Sequence, residues 1–224
     1  MSAGGPGPPR DEALVAYVEG IEAVLRTRRG ADHVLSPRDF ALARTWHEAG
    51  VPLATVLVAI DLAFDADPRA PSSLAVLRRR VEELAAVGPR PPAAPGPARE
   101  TERVSLPEVQ ERLQALRERL LELPGRVAAQ PLGEVEEIAD LVAVASRPNW
   151  DYLRARLRRI DEAVAVAAVE ALADDDARAM RAEAERATAR HRGRVDDAAL
   201  DEARERLVRQ RAREKLRLPR VSVD

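Results

Sequence analysis

The stretch that decides the fold is NWDYLRARLRRIDEAVAVAAVE, residues 149–170. Its apolar residues alternate spacings of four and three, which is the heptad spacing of a helix with one buried stripe. Asn149 stands where an N-cap side chain is expected. The apolar positions that follow this spacing are Leu153, Leu157, Ile160, Val164, Ala167, Ala171, Met180, Ala184, Ala187 and His191. The pattern predicts one long helix that ends at Gly193, with Asp174–Asp176 either interrupting it or lying on its solvated side.

On either side of this helix the sequence predicts three more. Ser105–Glu108 has the form of a capping box and opens a helix that ends at Pro124. A second helix is predicted over about 133–146, and a last one over about 196–217. Residues 105–217 therefore form a predicted helical bundle. Residues 218–224 alternate in polarity and contain Pro219, which predicts an extended tail.

A second helical module is predicted over residues 11–87. The helical pattern begins at Asp11, with apolar residues at helical spacing from Leu14, and Gly30 and Gly50 fit the positions that follow helix ends. Ser36 is a candidate N-cap, Pro37 suits the first helical position, and Asp39 places a negative charge in the first turn. Further helices are predicted from Pro52 and from Leu74, the latter capped by Ser72 or Ser73. This module therefore contains four short helices.

Proline and glycine mark the segments outside the two modules. Residues 1–10 predict a disordered leader without the apolar run of a signal peptide. Residues 88–104 carry five prolines and predict a semi-stiff extended linker. No stretch reaches the roughly 20 apolar residues that a membrane span needs. The fold class is therefore predicted to be all-α, with a small module, a linker and a bundle.

Composition argues against several kinds of function. The 224 residues include no cysteine, which excludes disulfides and thiolate chemistry and fits a cytoplasmic protein. Hydrophobic residues make up 46% of the chain but aromatic residues only 3%, which favours close helix packing over an aromatic-lined pocket. The net charge of −2 gives no overall attraction to nucleic acid or membranes.

Catalytic and metal-binding motifs are missing from the sequence. None of His33, His47 and His191 has the paired spacing with another ligand that helical metal sites use. The Gly-rich phosphate loops and the GxSxG nucleophile motif do not occur either. We therefore expect a non-enzymatic protein with no cofactor, no metal and no catalytic residues.

Positive charge concentrates near the end of the chain. Eight basic residues against two acidic ones give the stretch from Arg204 to Arg220 a local charge of +6. Such a helix can contact phosphates, or it can pair with an acidic partner or with acidic segments of the same fold. The candidate contact residues are Arg204, Arg206, Arg209, Arg211, Arg213, Lys215, Arg217 and Arg220.

Two tryptophans and the extended tail are candidate contacts for a protein partner. Trp46 and Trp150 are either binding hot spots or the largest residues at helix junctions. The apolar residues Leu218, Val221 and Val223 belong either to a docking peptide or to the packing of the bundle itself.

The first module resembles the helical domain of the DnaD-like replication-initiation proteins. The resemblance rests on Leu35-Ser36-Pro37, on Trp46, on Gly50-Val51-Pro52 and on the helix from Val56 to Phe64. It covers residues 11–87 only, and implies a compact helical domain of a replication protein. Members of that family continue with an aromatic-bearing helix implicated in DNA contact, whereas residues 73–81 contain no aromatic residue.

Two functions remain open on this reading. The first is a helical interaction or adaptor protein with a protein partner, and homo-oligomerisation is compatible with it. The alternative is a nucleic-acid-associated protein of replication or RNA metabolism that uses the basic residues between Arg204 and Arg220. Only the second predicts binding that weakens steeply with salt.

Overall fold

A computed structural model of the chain describes residues 10–29, 34–67, 73–86, 104–144 and 148–223. Every regular element in those residues is helical, which confirms the all-α prediction. The helices are α1 (Arg10–Arg29), α2 (Pro37–Glu48), α3 (Leu53–Ala66), a 3-10 helix (Leu74–Leu77), α4 (Arg78–Ala85), α5 (Leu106–Leu120), α6 (Gly125–Val144), α7 (Trp150–Glu170), α8 (Asp174–Ala189) and α9 (Asp197–Lys215). No helix in this part of the chain is long and apolar enough to cross a membrane.

The described residues group into two units. One comprises those within 10–86 together with 186–203, and the other those within 104–185 and 204–223. The sequence had placed 186–203 in the second module. These residues contact α3 of the first unit, since Arg190 forms an ion pair with Asp65 and His191 lies 2.9 Å from Asp61. Residues 1–9 of the predicted leader, residues 88–103 of the predicted linker, Gly30 and Ser72 lie outside the description, while α1 already begins at Arg10, the last residue of the predicted leader.

The core of the first unit is built around α3. This helix is apolar on all sides and is buried from Ala54 to Asp61, as expected for a helix with neighbours around it. It packs against α1 and α4, and α2 packs against α1 and the 3-10 helix. The predicted helix ends hold here: the Ser36 side chain accepts a hydrogen bond from the Asp39 amide. Gly50 has a φ of 71°, which favours glycine.

The core of the second unit joins α5, α6 and α7 with the segment after α9. Fully buried leucine, isoleucine and valine side chains from the three helices form one cluster. Leu218, Val221 and Val223 belong to the same cluster, so the extended tail packs on its own bundle. The helix caps match the sequence, since Ser105 accepts from the Glu108 amide and Asn149 from the Tyr152 amide.

The structure corrects two predicted helices. The long helix that begins at Asn149 stops at Glu170, and α8 starts at Asp174, so Asp174–Asp176 lie in a first turn where the helix dipole favours negative charge. Helix α6 begins at Gly125, earlier than the predicted 133. It tolerates Pro131 in its interior because Pro131, Val127 and Ala128 are buried, and this packing opposes the cost of the lost backbone bond.

Candidate interaction surface at the α6–α7 end

Helices α6 and α7 pack side by side in opposite directions, and two ion pairs set their register. Arg156 lies 2.6 Å from Glu137, and Arg159 lies 3.7 Å from Glu134. A residue three positions later on α7 is thus paired with a residue three positions earlier on α6. By the same register Leu141 of α6 lies level with Tyr152 of α7, close to the end where the two helices are connected.

Apolar side chains are exposed at this end of the helix pair. Val144 is 85% exposed, Tyr152 46% and Leu141 38%. Trp150 is half-buried and packs its inner side on the core cluster of the unit. We call Leu141, Val144, Trp150 and Tyr152 the α6–α7 patch. It holds two of the chain's six aromatic residues; of the other four, Tyr17, Trp46 and Phe64 are buried and Phe40 is 41% exposed.

The rim of the α6–α7 patch carries charges of both signs. Arg154 lies with its guanidinium carbon 6.0 Å from the centre of the Trp150 ring, within the range of a cation–π contact. It also approaches the almost fully exposed Asp151, at 3.5 Å. An apolar centre with a charged rim is the usual build of a protein–protein interface.

Two of the predicted basic contact residues are buried. Arg206 is 2% exposed, and Arg213 is 5% exposed and forms a 2.6 Å ion pair with Asp161. Neither side chain can reach a phosphate on another molecule. The sequence could not show this, because Arg206 and Arg213 look the same in the charge pattern as their exposed neighbours.

Most of the other basic residues pair with acids of the same unit. Arg204 pairs with Glu185 at 2.9 Å, Arg209 with Glu205 at 2.9 Å, Arg211 with Glu183 at 2.8 Å and Lys215 with Asp176 at 2.6 Å. Burial opposes the charge of Arg211, but its hydrogen bonds with Glu214 and Glu183 outweigh that effect and raise its pKa. Arg217 is exposed and Arg220 half-buried. The local excess of positive charge is thus largely neutralised within the unit.

Of the five residues predicted to contact a protein partner, four are buried. Trp46 is 3% exposed and belongs to the core of the first unit. Leu218, Val221 and Val223 are each at most 5% exposed. Trp150 alone among the five keeps part of its surface. The sequence pattern did not indicate that Leu141, Val144 and Tyr152 are exposed, since their exposure depends on how α6 packs against α7.

A buried ionic cluster occupies the first unit. His191 Nε2 lies 2.9 Å from Asp61 Oδ2, and Arg28 Nε donates to Asp61 Oδ1 at 2.6 Å. Burial disfavours the ionised Asp61, but the hydrogen bonds and charges of His191 and Arg28 outweigh it and lower the pKa of Asp61. His191 is 1% exposed, so a substrate has no access to it. The cluster of Arg28, Asp61 and His191 therefore holds α1, α3 and the residues after α8 together.

A shallow cleft of about 300 Å³ lies in the second unit beside α6, α7 and α9. Its polar lining includes Glu134, Glu162, Arg159 and Arg209. Arg159 and Gln130 both approach the carboxylate of Glu134, at 3.7 Å and 3.4 Å. Charges of both signs offset each other there, so the cleft favours neither an anion nor a cation. No group of His, Asp and Glu among the described residues could hold a metal ion.

Comparison with known proteins found no match to this chain among protein families, curated proteins or solved structures. The DnaD-like resemblance of residues 11–87 therefore stays a prediction. Among the described residues, the α6–α7 patch is the surface whose geometry best fits a binding interface.

Proposed function

We propose that this protein is a non-enzymatic helical interaction protein and that a protein partner covers the α6–α7 patch. The observation that carries the proposal is the exposure of Leu141, Val144 and Tyr152 at one end of the α6–α7 helix pair, with the half-buried Trp150 in the same turn of α7 as Tyr152. Tyrosine and tryptophan dominate binding hot spots because they bury a large rigid surface and keep a polar group at the rim. Trp150 and Tyr152 are two residues apart on α7, so their side chains leave the helix in different directions. Tyr152, which lies level with Leu141 of α6, is therefore the proposed centre of the interface.

The alternative, a nucleic-acid-associated protein, has less support from the geometry. Phosphate binding needs several arginine or lysine side chains that can exchange their counterions for phosphates. Within the stretch from Arg204 to Arg220, two arginines are buried and four further basic residues already have carboxylate partners. Breaking those ion pairs would oppose the gain from phosphate contacts.

A substitution that places a charge in the α6–α7 patch tests the proposal through the affinity for the partner. Tyr152→Asp puts a carboxylate where a partner must exclude water, so we expect the affinity for the partner to fall about 30-fold or more. The partner is first captured from cells of the source organism through a photo-crosslinking residue at position 152. Affinities of the purified pair are then measured by calorimetry.

Two matched variants control this test. Tyr152→Phe keeps the aromatic ring and should keep most of the affinity. Val76→Asp introduces the same charge at a position of the first unit that is 67% exposed, and should leave the affinity unchanged. Equal affinity of the wild-type chain and Tyr152→Asp would rule the patch out. Binding of labelled DNA or RNA that weakens by orders of magnitude between about 50 and 200 mM salt would favour the alternative instead.

A further inference from the structure

The 218–223 segment lies in the bundle as an extended peptide lies in a groove. Val221 and Val223 are buried while Ser222 between them is half-buried, the two-residue alternation of an extended chain. Leu218, three residues before Val221, is buried as well. All three apolar side chains enter the cluster formed by α5, α6 and α7. The groove is therefore shaped for apolar residues at these positions.

The backbone of the segment is held by three charged side chains, of which Asp161 and Arg213 are buried. Asp161 of α7 accepts hydrogen bonds from the amides of Val221, at 3.2 Å, and Ser222, at 2.8 Å. Arg213 of α9 donates to the carbonyls of Leu218, at 3.0 Å, and Pro219. Arg112 of α5 donates to the carbonyl of Ser222 at 3.3 Å. Main-chain bonds with side-chain pockets are the way proteins bind extended peptides.

The groove needs an occupant. Asp161 and Arg213 are both buried and form an ion pair with each other. The hydrogen bonds that each makes beyond this pair include those to the backbone of the segment. If the segment left, two amide donors would be lost from a buried carboxylate and an apolar cavity would open behind it. Both changes are strongly unfavourable, because buried polar groups need partners and cavities lose packing. An open chain would therefore take up another peptide of the same sequence.

The connection between α9 and the segment is strained at one residue. Arg217 has a φ of 54°, and it is the only residue other than glycine with a positive φ in the described part of the chain. A side chain in this conformation meets the neighbouring carbonyl oxygen, so the turn is less stable than a glycine turn. It is closed by bonds from the Arg217 amide to Glu214 and from the Leu218 amide to Arg213, each 3.1 Å long.

We propose that the groove also accepts the 218–223 segment of a second copy of this chain, so that two copies exchange their segments reciprocally. Identical chains make identical contacts in either direction, which makes such an exchange a low-cost route to a dimer. Opening the turn relieves the strain at Arg217. Only residues 216 and 217 lie between the end of α9 and the segment, so the exchange requires the α9 ends of the two copies to lie close together. None of the residues of the α6–α7 patch belongs to the 218–223 segment or makes its backbone hydrogen bonds.

Two substitutions at Arg217 test the proposal without altering the groove or the segment. Glycine adopts a positive φ without strain, so Arg217→Gly favours the closed chain. Proline is confined to a φ near −65° and has no amide proton, so Arg217→Pro opens the turn. We expect the dimer dissociation constant to rise about tenfold in Arg217→Gly and to fall about tenfold or more in Arg217→Pro. Native mass spectrometry over a range of full-chain concentrations measures both.

Hydrogen–deuterium exchange at the Val221 and Ser222 amides distinguishes the outcomes. In an exchanged Arg217→Pro dimer both amides are protected, and protection disappears with the dimer on dilution. A monomeric Arg217→Pro chain overturns the proposal in either case. If its two amides are protected, the segment binds only its own groove. If they are unprotected, the groove stays empty and no second copy fills it. If Arg217→Pro loses its helical circular dichroism signal, the test is the comparison of the wild-type chain with Arg217→Gly. Equal dimer dissociation constants for these two chains overturn the proposal. Tyr152→Asp should leave dimerisation unchanged, which separates this result from that of the proposed function.

Discussion

At the scale of single residues, Asp39 shows how one carboxylate can hold two helix starts. It is 4% exposed, and its oxygens accept hydrogen bonds from the Ser73 hydroxyl at 2.7 Å, the Leu74 amide at 2.8 Å and the Ser36 hydroxyl at 3.0 Å. Residues 36–39 predict the local cap at the start of α2. They give no indication of the bonds to residues 73 and 74, which depend on how α2 packs against the 3-10 helix.

We expect Asp39→Ala to lower the free energy of unfolding by about 2–4 kcal/mol, because it leaves buried donors without an acceptor. Urea unfolding followed by circular dichroism measures the change. Glu48→Ala, which removes an exposed carboxylate from the same helix, should change it by less than about 0.5 kcal/mol. Similar effects of the two substitutions would contradict a structural role for Asp39.

At the scale of helices, α7 separates what a local pattern predicts from what it does not. Its start at Asn149 follows from a side chain that can bond an amide three residues later. Its end at Glu170 does not follow, because the heptad spacing continues through Ala171 and resumes at Met180. Periodicity records which side of a helix is buried, and two consecutive helices can keep the same buried spacing across a short break.

The cap of α7 can be tested directly. We expect Asn149→Ala to lower the free energy of unfolding by about 1 kcal/mol, since the Tyr152 amide loses its acceptor. Asn149→Asp retains an acceptor oxygen at the cap and should stay close to the wild-type stability. Chemical unfolding of the three chains under one condition measures the difference. An aspartate chain as unstable as the alanine chain would show that the cap bond does not contribute.

At the scale of the whole molecule, the Asp61 cluster makes stability depend on pH. The folded chain holds the pKa of Asp61 below its usual value near 3.9. Protonation is therefore easier in the unfolded chain, and the stabilisation by ionised Asp61 is complete above that value. It is lost as the pH falls through the lower pKa of the folded chain. The cluster joins α1, α3 and the residues after α8, so its loss weakens contacts across the first unit.

We expect Asp61→Asn to be less stable than the wild-type chain at neutral pH and to lose less stability on acidification. The two free energies of unfolding should approach each other below about pH 4. Urea unfolding at a series of pH values from neutral to acid measures both curves. Parallel curves over that range would mean that Asp61 does not contribute to the acid sensitivity.

The sequence by itself determined the helical class and the caps at Ser36, Ser105 and Asn149. These features depend on hydrogen bonds and side-chain spacing within about one turn of helix, which neighbouring residues specify. Only the tertiary structure decided that Arg213 is buried against Asp161, that His191 meets Asp61, and that Val221 lies in the core while Tyr152 lies at the surface. The physical reason is that burial and charge pairing depend on residues distant in the chain, and one charge pattern fits both an exposed arginine and a buried one.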